Sequence, residues 1–472
     1  MQSTSPIDGA TVWEGQSALP DQVRAAVKRS SEAGLHWRTT SVESRVEIVR
    51  SYAKYLEDHR DEIATLISRE VGKLAWDAAG EVRASIAKVE LSIQAFQQRR
   101  SEQTIDPAAG AVRRIRYQPL GVALVLGPFN FPLHLPGGQI IPALLAGNTV
   151  IFKPSDQATA VGMWIAEAWR AAGLPEGVME AIVGGVPTAV AAIDCPEVAG
   201  VFLTGSRAAG RAIHRQLAGR PNVLLALELG GNNPIVIEES VRPDDAAATV
   251  SFSAFISAGQ RCTCSRRAIF IGKRADEKVE ALVKMTRELH VGLPSDDPSP
   301  QVGPVISDHA AAGLRATYDS LLELGCRPLV PWKVGEQPNL VHPAIVDGSS
   351  LDQAGLEALA DMEWFGPLLV VHRVDGTGAA IRLASETNYG LAASLLGGDE
   401  ELFLKFVDQV GAGVVNWNGP TTGAAGALPF GGLGDSGNHR PAGFFAVDFC
   451  SDPIASLERT ELNTTDPWDI TK

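Results

Sequence analysis

Gly121-Val122-Ala123-Leu124-Val125-Leu126-Gly127 is a short apolar run bounded by glycine, and Asn148-Thr149-Val150-Ile151-Phe152-Lys153-Pro154 is a second one that ends in a polar loop. A helical stretch separates them. Strand, helix, strand in that order needs a crossover, which sets the two strands parallel. The beat continues through a helix at 164–172, strands at 179–183 and 198–203, a helix at 208–217 and a strand at 223–227. This reads as a doubly wound α/β sheet, whose ligands are expected at the carboxyl ends of its strands.

A second alternating series begins at 233–237 and runs through a helix at 246–257, a strand at 267–271 and a helix at 275–290, giving a second α/β domain. Ahead of both, residues 19–38, 61–72 and 81–99 have helical spacing. Another helix is expected to open at Thr40-Ser41-Val42-Glu43, with Thr40 and Glu43 at capping-box spacing and Val42, Val46, Val49 and Tyr52 on one face. Residues 419–437, rich in Gly, Ala and Thr, read as a loop that approaches a ligand.

The chain has 472 residues, more than the roughly 250–300 at which a single core stops growing, so two domains or more are expected. Hydrophobic residues make up 45% and charged residues 20%, an ordinary globular balance. A net charge of −14 argues against nucleic acid or an anionic membrane surface as a partner. Apolar runs stay short of the roughly 18–20 residues of a spanning helix, and the N-terminus lacks a basic region followed by an apolar core, so the expected location is the cytoplasm. Five scattered cysteines, Cys195, Cys262, Cys264, Cys326 and Cys450, fit neither zinc-ligand spacing nor a disulfide framework; reduced thiols and no metal are expected.

Two segments carry candidate chemistry. Ala258-Gly259-Gln260-Arg261-Cys262-Thr263-Cys264 offers a nucleophile, and Glu228-Leu229-Gly230-Gly231-Asn232-Asn233-Pro234 a glycine-framed carboxylate. A thiolate adds to an aldehyde carbon, and a carboxylate activates the water that hydrolyses the resulting thioester. Cys262 as one more small buried residue is the other reading. On an extended segment Cys264 would share a face with Cys262, displaced by about 6.5 Å, too far for both to reach one carbon.

Other stretches also bear two readings. In Gly127-Pro128-Phe129-Asn130-Phe131-Pro132, Asn130 can donate to an oxyanion beside the backbone N–H of Cys262, or cap the next helix. Thr204-Gly205-Ser206-Arg207-Ala208-Ala209-Gly210 is a phosphate-facing glycine turn or a plain β–α turn. Lys153 and Asp156 can each hold a ribose hydroxyl or belong to a solvated turn. Glu363-Trp364-Phe365-Gly366-Pro367 can meet a cofactor ribose or open a strand.

These six stretches, taken in chain order, resemble the aldehyde dehydrogenase superfamily over nearly the whole chain. The resemblance implies Cys262 as nucleophile, Glu228 as general base and Asn130 as oxyanion donor. It implies NAD contacts from Lys153, Asp156, Gly205, Ser206, Arg207, Ala208, Ala209, Gly210, Glu363 and Phe365. It implies an NAD-binding domain at 1–228 with 433–453 returning to it, a catalytic domain at 229–432, and an oligomerisation sheet of 111–117 with the 454–472 tail, hence a homodimer or homotetramer. Three longer strings, Leu225 to Pro234, Ala258 to Cys264 and Asn416 to Pro441, resemble the N-succinylglutamate semialdehyde dehydrogenases of arginine catabolism. Succinate or glutamate semialdehyde is the alternative substrate.

Gly419 and Gly426 depart from that subfamily, as does Asp156 in place of glutamate. The shorter Asp156 keeps a negative charge that repels a 2′-phosphate, so NAD is expected over NADP. For an anionic substrate, Arg261, Thr422, Gly423, His439 and Arg440 are the candidate contacts. Arg261 or Arg440 in a plain salt bridge is the competing reading.

Overall fold

A computed structural model describes residues 1–108 and 111–462; residues 463–472 of the expected tail lie outside that set. Four helices lead the chain: α1 (Pro20–Trp37), α2 (Val42–Asp58), α3 (Arg60–Val71) and α4 (Ala75–Arg99). Val46, Val49 and Tyr52 form the buried stripe of α2, and Tyr52 stacks on Trp169 with ring centroids 3.9 Å apart. The expected capping box is absent, and the cap is displaced by one residue. Ser41 is the cap, its Oγ accepting the N–H of Ser44 at 3.1 Å, whereas Thr40 donates to the carbonyl of His36 at the end of α1. Helix α4 begins six residues before the expected start, because its Ala- and Gly-rich first turns lack amphipathic contrast.

The first sheet comprises β1 (Val122–Leu126), β2 (Thr149–Lys153), β3 (Met179–Ala181), β4 (Val198–Thr204) and β5 (Leu224–Glu228), in the order β3-β2-β1-β4-β5 and wholly parallel. Helices α5 (His134–Leu145), α6 (Thr159–Ala171), α7 (Val186–Ile193) and α8 (Arg207–Leu217) connect them. All five residues of β1 are buried. Ala123 and Val125 face a core shared with α2 to α6, while Val122, Leu124 and Leu126 face another shared with α1, α7 and α8. Each such side chain contributes roughly 1.5–3 kcal/mol of burial, which explains why these strands show no polar alternation.

The second sheet runs β6 (Asn233–Ile237), β7 (Ser265–Ile271), β8 (Arg327–Val330), β9 (Ala344–Asp347), β10 (Leu368–Val374), β11 (Ala392–Leu396) and β12 (Val414–Trp417), ordered β8-β9-β10-β7-β6-β11-β12. Only the β8–β9 pair is antiparallel. Helices α9 (Pro243–Phe255) and α10 (Ala275–Glu288) cover it.

A third, three-stranded sheet pairs Ser451–Glu458 with Ala111–Pro119, and that strand with Gln103–Ala108, both antiparallel. Ile105, Ile454 and Leu457 stand exposed on it. No helix among the described residues is long and apolar enough to cross a membrane.

Candidate active site

The register of the first sheet brings its carboxyl ends level: Leu126 pairs with Lys153 and with Leu203, and Thr204 with Glu228. Strand order reverses between β1 and β4, where doubly wound sheets hold ligands. The loop bearing Asn130 leaves β1 at that crevice, and the Gly205 turn leaves β4.

From the second sheet, α9 ends in a single tight turn, Ile256–Gly259, with Ser257, Ala258 and Gly259 at φ of 54°, 53° and 70°. Left-handed backbone at two non-glycine residues costs about 1–3 kcal/mol each and persists only when its surroundings hold it. Here Ser257 donates its hydroxyl to Asp77, Arg261 Nε donates to Ser257 Oγ at 2.8 Å and Arg261 Nη2 lies 2.8 Å from Asp77 Oδ1. Gly259 has no alternative residue, because a Cβ there would overlap the carbonyl of Gly366.

Arg266, fully buried, donates to the carbonyls of Gly259 (2.9 Å), Gly366 (3.4 Å) and Arg261 (3.1 Å), bracing the Cys262 loop against the loop of Glu363. Asn233 donates to the carbonyls of Cys262 and Cys264. The segment is therefore a turn, closed by Cys264 N–H to Arg261 O at 3.1 Å. This corrects the extended geometry expected for the two cysteines. Cys262 lies half-buried, and Cys264 points into the core toward the Ile256 carbonyl.

Glu228 ends β5 with its carboxylate buried. Oε1 accepts from Ala442 N–H at 3.4 Å, and Oε2 has no partner among the described residues. Burial pushes its proton affinity well above the usual carboxylate range. Burial, and then the charges of Glu228, Cys264 and Glu363, push the Cys262 thiol up to about 12, with Arg266 opposing. Glu363 accepts from Gly231 N–H at 3.1 Å. Burial raises its proton affinity too, opposed by Arg266.

Asn130 is not a helix cap. The N–H groups of Leu133 and His134 at the start of α5 go to Glu81 Oε1, at 2.9 and 3.1 Å. The Asn130 amide instead donates to the carbonyl of Gln260 at 3.0 Å, two residues from Cys262. It thus joins the two halves of the site.

Lys153 donates to the carbonyls of Pro154 (2.8 Å) and Gly184 (2.7 Å), and Asp156 is exposed just beyond. Ser206 caps α8 through Ala209 N–H at 3.2 Å, and Ala208 sits in the first turn. Gly205 N–H donates to the carbonyl of Glu228 at 3.0 Å, and Gly210 packs against Leu229. Arg207 is drawn away by Asp435 (3.2 Å) and Asp361 (3.5 Å). Phe365 meets Phe129 edge to face at 5.9 Å.

Of the candidate substrate contacts, Arg261 is committed to Asp77. His439 and Arg440 line a cavity of about 170 Å³ together with Glu228, Gly431 and Pro441. Thr422 and Gly423 lie on the loop after β12, where Gly423 O accepts from Asn416 at 3.0 Å. Among the described residues no group of three or more His, Cys, Asp and Glu side chains is placed to hold a metal. Asp77, Asn233 and Arg266 emerge only from the structure. The signal for Arg266 was available: two adjacent arginines inside the apolar run of β7.

The aldehyde dehydrogenase family model matches residues 1–453. An N-succinylglutamate 5-semialdehyde dehydrogenase of Novosphingobium aromaticivorans is 43% identical over 457 residues, covering 97% of this chain and 95% of that protein. The NAD-dependent aldehyde dehydrogenase of Sinorhizobium meliloti superposes with a TM-score of 0.92 at 25% identity, over 99% of this chain and 92% of that one. The NADP-dependent glyceraldehyde-3-phosphate dehydrogenase of Bacillus halodurans, solved with NADP, gives 0.89 at 26%, over 97% and 95%. A half-buried thiol, a buried carboxylate and a fixed amide thus converge on a chain that belongs to the aldehyde dehydrogenase family, the NAD(P)-dependent oxidoreductases of aldehydes.

Proposed function

We propose that this enzyme oxidises N-succinyl-L-glutamate 5-semialdehyde to N-succinyl-L-glutamate with NAD, as a step of arginine catabolism in the cytoplasm. The observation that carries the chemistry is the convergence of Cys262, Glu228 and Asn130; the names of its relatives support the substrate. Cys262 adds to the aldehyde carbon as its thiolate, its proton having left before the attack, and the carboxylate of Glu228 stays free for the later step. The Asn130 amide and the backbone N–H of Cys262 stabilise the oxyanion. A bound nicotinamide dinucleotide supplies the hydride acceptor. Glu228 then activates the water that releases the acid and frees the thiol.

The carboxyl edge of the first sheet fits that dinucleotide. Lys153, Asp156 and Glu363 would hold its hydroxyl groups and residues 205–210, which lead into and open α8, its phosphates, with Phe365 against the ring system. Asp156 favours NAD. Residues 1–228 with 433–453, and 229–432, are the two domains, and the exposed apolar residues of the three-stranded sheet fit assembly into a dimer or tetramer.

The test is an assay of succinylglutamate, succinate and glutamate semialdehydes with NAD and NADP, with and without coenzyme A. A kcat/KM for the succinylated substrate with NAD well above the others is expected; preference for another aldehyde overturns the assignment. Cys262→Ala must abolish NADH formation, and Glu228→Ala must retain a burst without turnover.

A further inference from the structure

Lys88 lies on α4 with 5% of its surface exposed. Its ammonium donates to the carbonyl of Gly443 at 2.8 Å, and among the described residues it has no carboxylate partner. Lys73, on the loop before α4, is by contrast paired with Glu81 at 2.5 Å. An ammonium carries three donors, so two of Lys88's face no protein acceptor. Burial lowers its proton affinity to about 8, the mark of a cation short of counter-charge.

Beside it stands His134, the first residue of α5. Its Nδ1 is buried without a partner, and burial together with Lys88 and Lys73 lowers its proton affinity to about 4. A neutral imidazole can still donate one hydrogen bond. Both residues border the reacting groups. Gly443 follows Ala442, whose N–H holds Glu228, and His134 is four residues past Asn130. Leu91, three residues after Lys88 on α4, packs against Gly426, where a Cβ would stand 2.8 Å away. Glu81 of the same helix is taken up by Lys73 and by the N–H groups of Leu133 and His134, so Lys88 remains a buried positive charge without a carboxylate beside it among the described residues, in a chain of net charge −14.

We infer that Lys88, supported by His134, is the seat for a carboxylate of the substrate and determines the enzyme's preference for anionic aldehydes. The inference rests on the substrate reading above and assigns its recognition to residues other than Arg261, whose charge Asp77 already takes.

The test compares kcat/KM for succinate semialdehyde and for butanal, a neutral aldehyde of equal chain length, in the full-length enzyme and in Lys88→Gln and Lys88→Met. Glutamine keeps a donor for Gly443 and loses the charge; methionine loses both. Each variant should lower the ratio of the two values about tenfold or more, chiefly through KM for the anion. Succinate should inhibit butanal oxidation competitively in the parent enzyme, with a Ki raised by a similar factor in both variants. An equal loss on both aldehydes, or an unchanged succinate Ki, makes Lys88 a structural brace and overturns the inference. A parent enzyme with no preference for the anion overturns the substrate reading as well. A parent preference that survives in Lys88→Gln removes Lys88 alone.

Discussion

Asn233 donates its side-chain amide to the backbone carbonyls of both Cys262 (2.7 Å) and Cys264 (2.8 Å), while its own oxygen accepts Ala392 N–H at 3.0 Å. One buried amide thus ties the Cys262 turn to β6 and β11 of the second sheet. Replacing it strands three buried polar groups. Asn233→Ala should cost about 2–4 kcal/mol in urea denaturation and depress kcat with little change in KM for NAD. A loss below about 1 kcal/mol would show that the turn holds itself.

The buried carboxyl of Glu228 gives stability a pH dependence. Its folded proton affinity is raised, so above pH 4.5, the usual carboxyl value, the native state binds more protons than the unfolded chain. With the slope of stability proportional to protons bound unfolded minus native, this group lowers stability as pH climbs from 4.5 toward its folded value. Glu228→Gln should therefore be more stable than the parent at pH 7, and the advantage should shrink toward pH 4.5. Denaturation midpoints at pH 4.5, 6 and 7.5 check this; a difference that is constant or reversed refutes it.

The two neighbouring thiols should react unequally. Iodoacetamide should label Cys262 and spare Cys264, whose sulfur is buried against Ile256. Because burial and Glu228 hold the Cys262 thiol up at about 12, the labelling rate of the cofactor-free enzyme should climb steadily from pH 7 to 9, close to tenfold per unit. A plateau near neutrality would mean a thiolate is already present. Cys264→Ala should keep aldehyde oxidation.

Two glycines should respond differently to alanine. At Gly259 the added methyl meets the Gly366 backbone in a left-handed conformation, so Gly259→Ala should lose more than about 3 kcal/mol or fail to fold. At Gly230 its three nearest atoms all belong to the side chain of Glu363, which can swing aside. Gly230→Ala should fold, with a smaller shift in Tm and a raised KM for NAD. Equal thermal shifts for the two would sink this distinction.

The doubly wound sheet was legible because its strands are buried on both faces and appear as unbroken apolar runs between glycines. Cys262, Glu228, Asn130 and Glu363 stood out as candidates because each sits in a short motif at a strand or helix end. Asn233 and Asp77 did not, since each holds a loop brought close only by folding, and such a hold leaves no signature of residue type; Arg266 left only the trace of two adjacent arginines in an apolar run. The same blindness misplaced Cys264: its alternation with Cys262 suggests a strand, but the bond from its N–H to Arg261 O curls the segment. Thr40 was mistaken for the cap because Ser41 beside it has the same hydroxyl and lies one position nearer the first turn.

The hydrogen bond from Gly205 N–H to the Glu228 carbonyl, 3.0 Å long, joins the turn before α8 and the end of β5 into one mechanical linkage. The two segments share that bond, so a displacement of the 205–210 turn reaches the Glu228 peptide through a single contact.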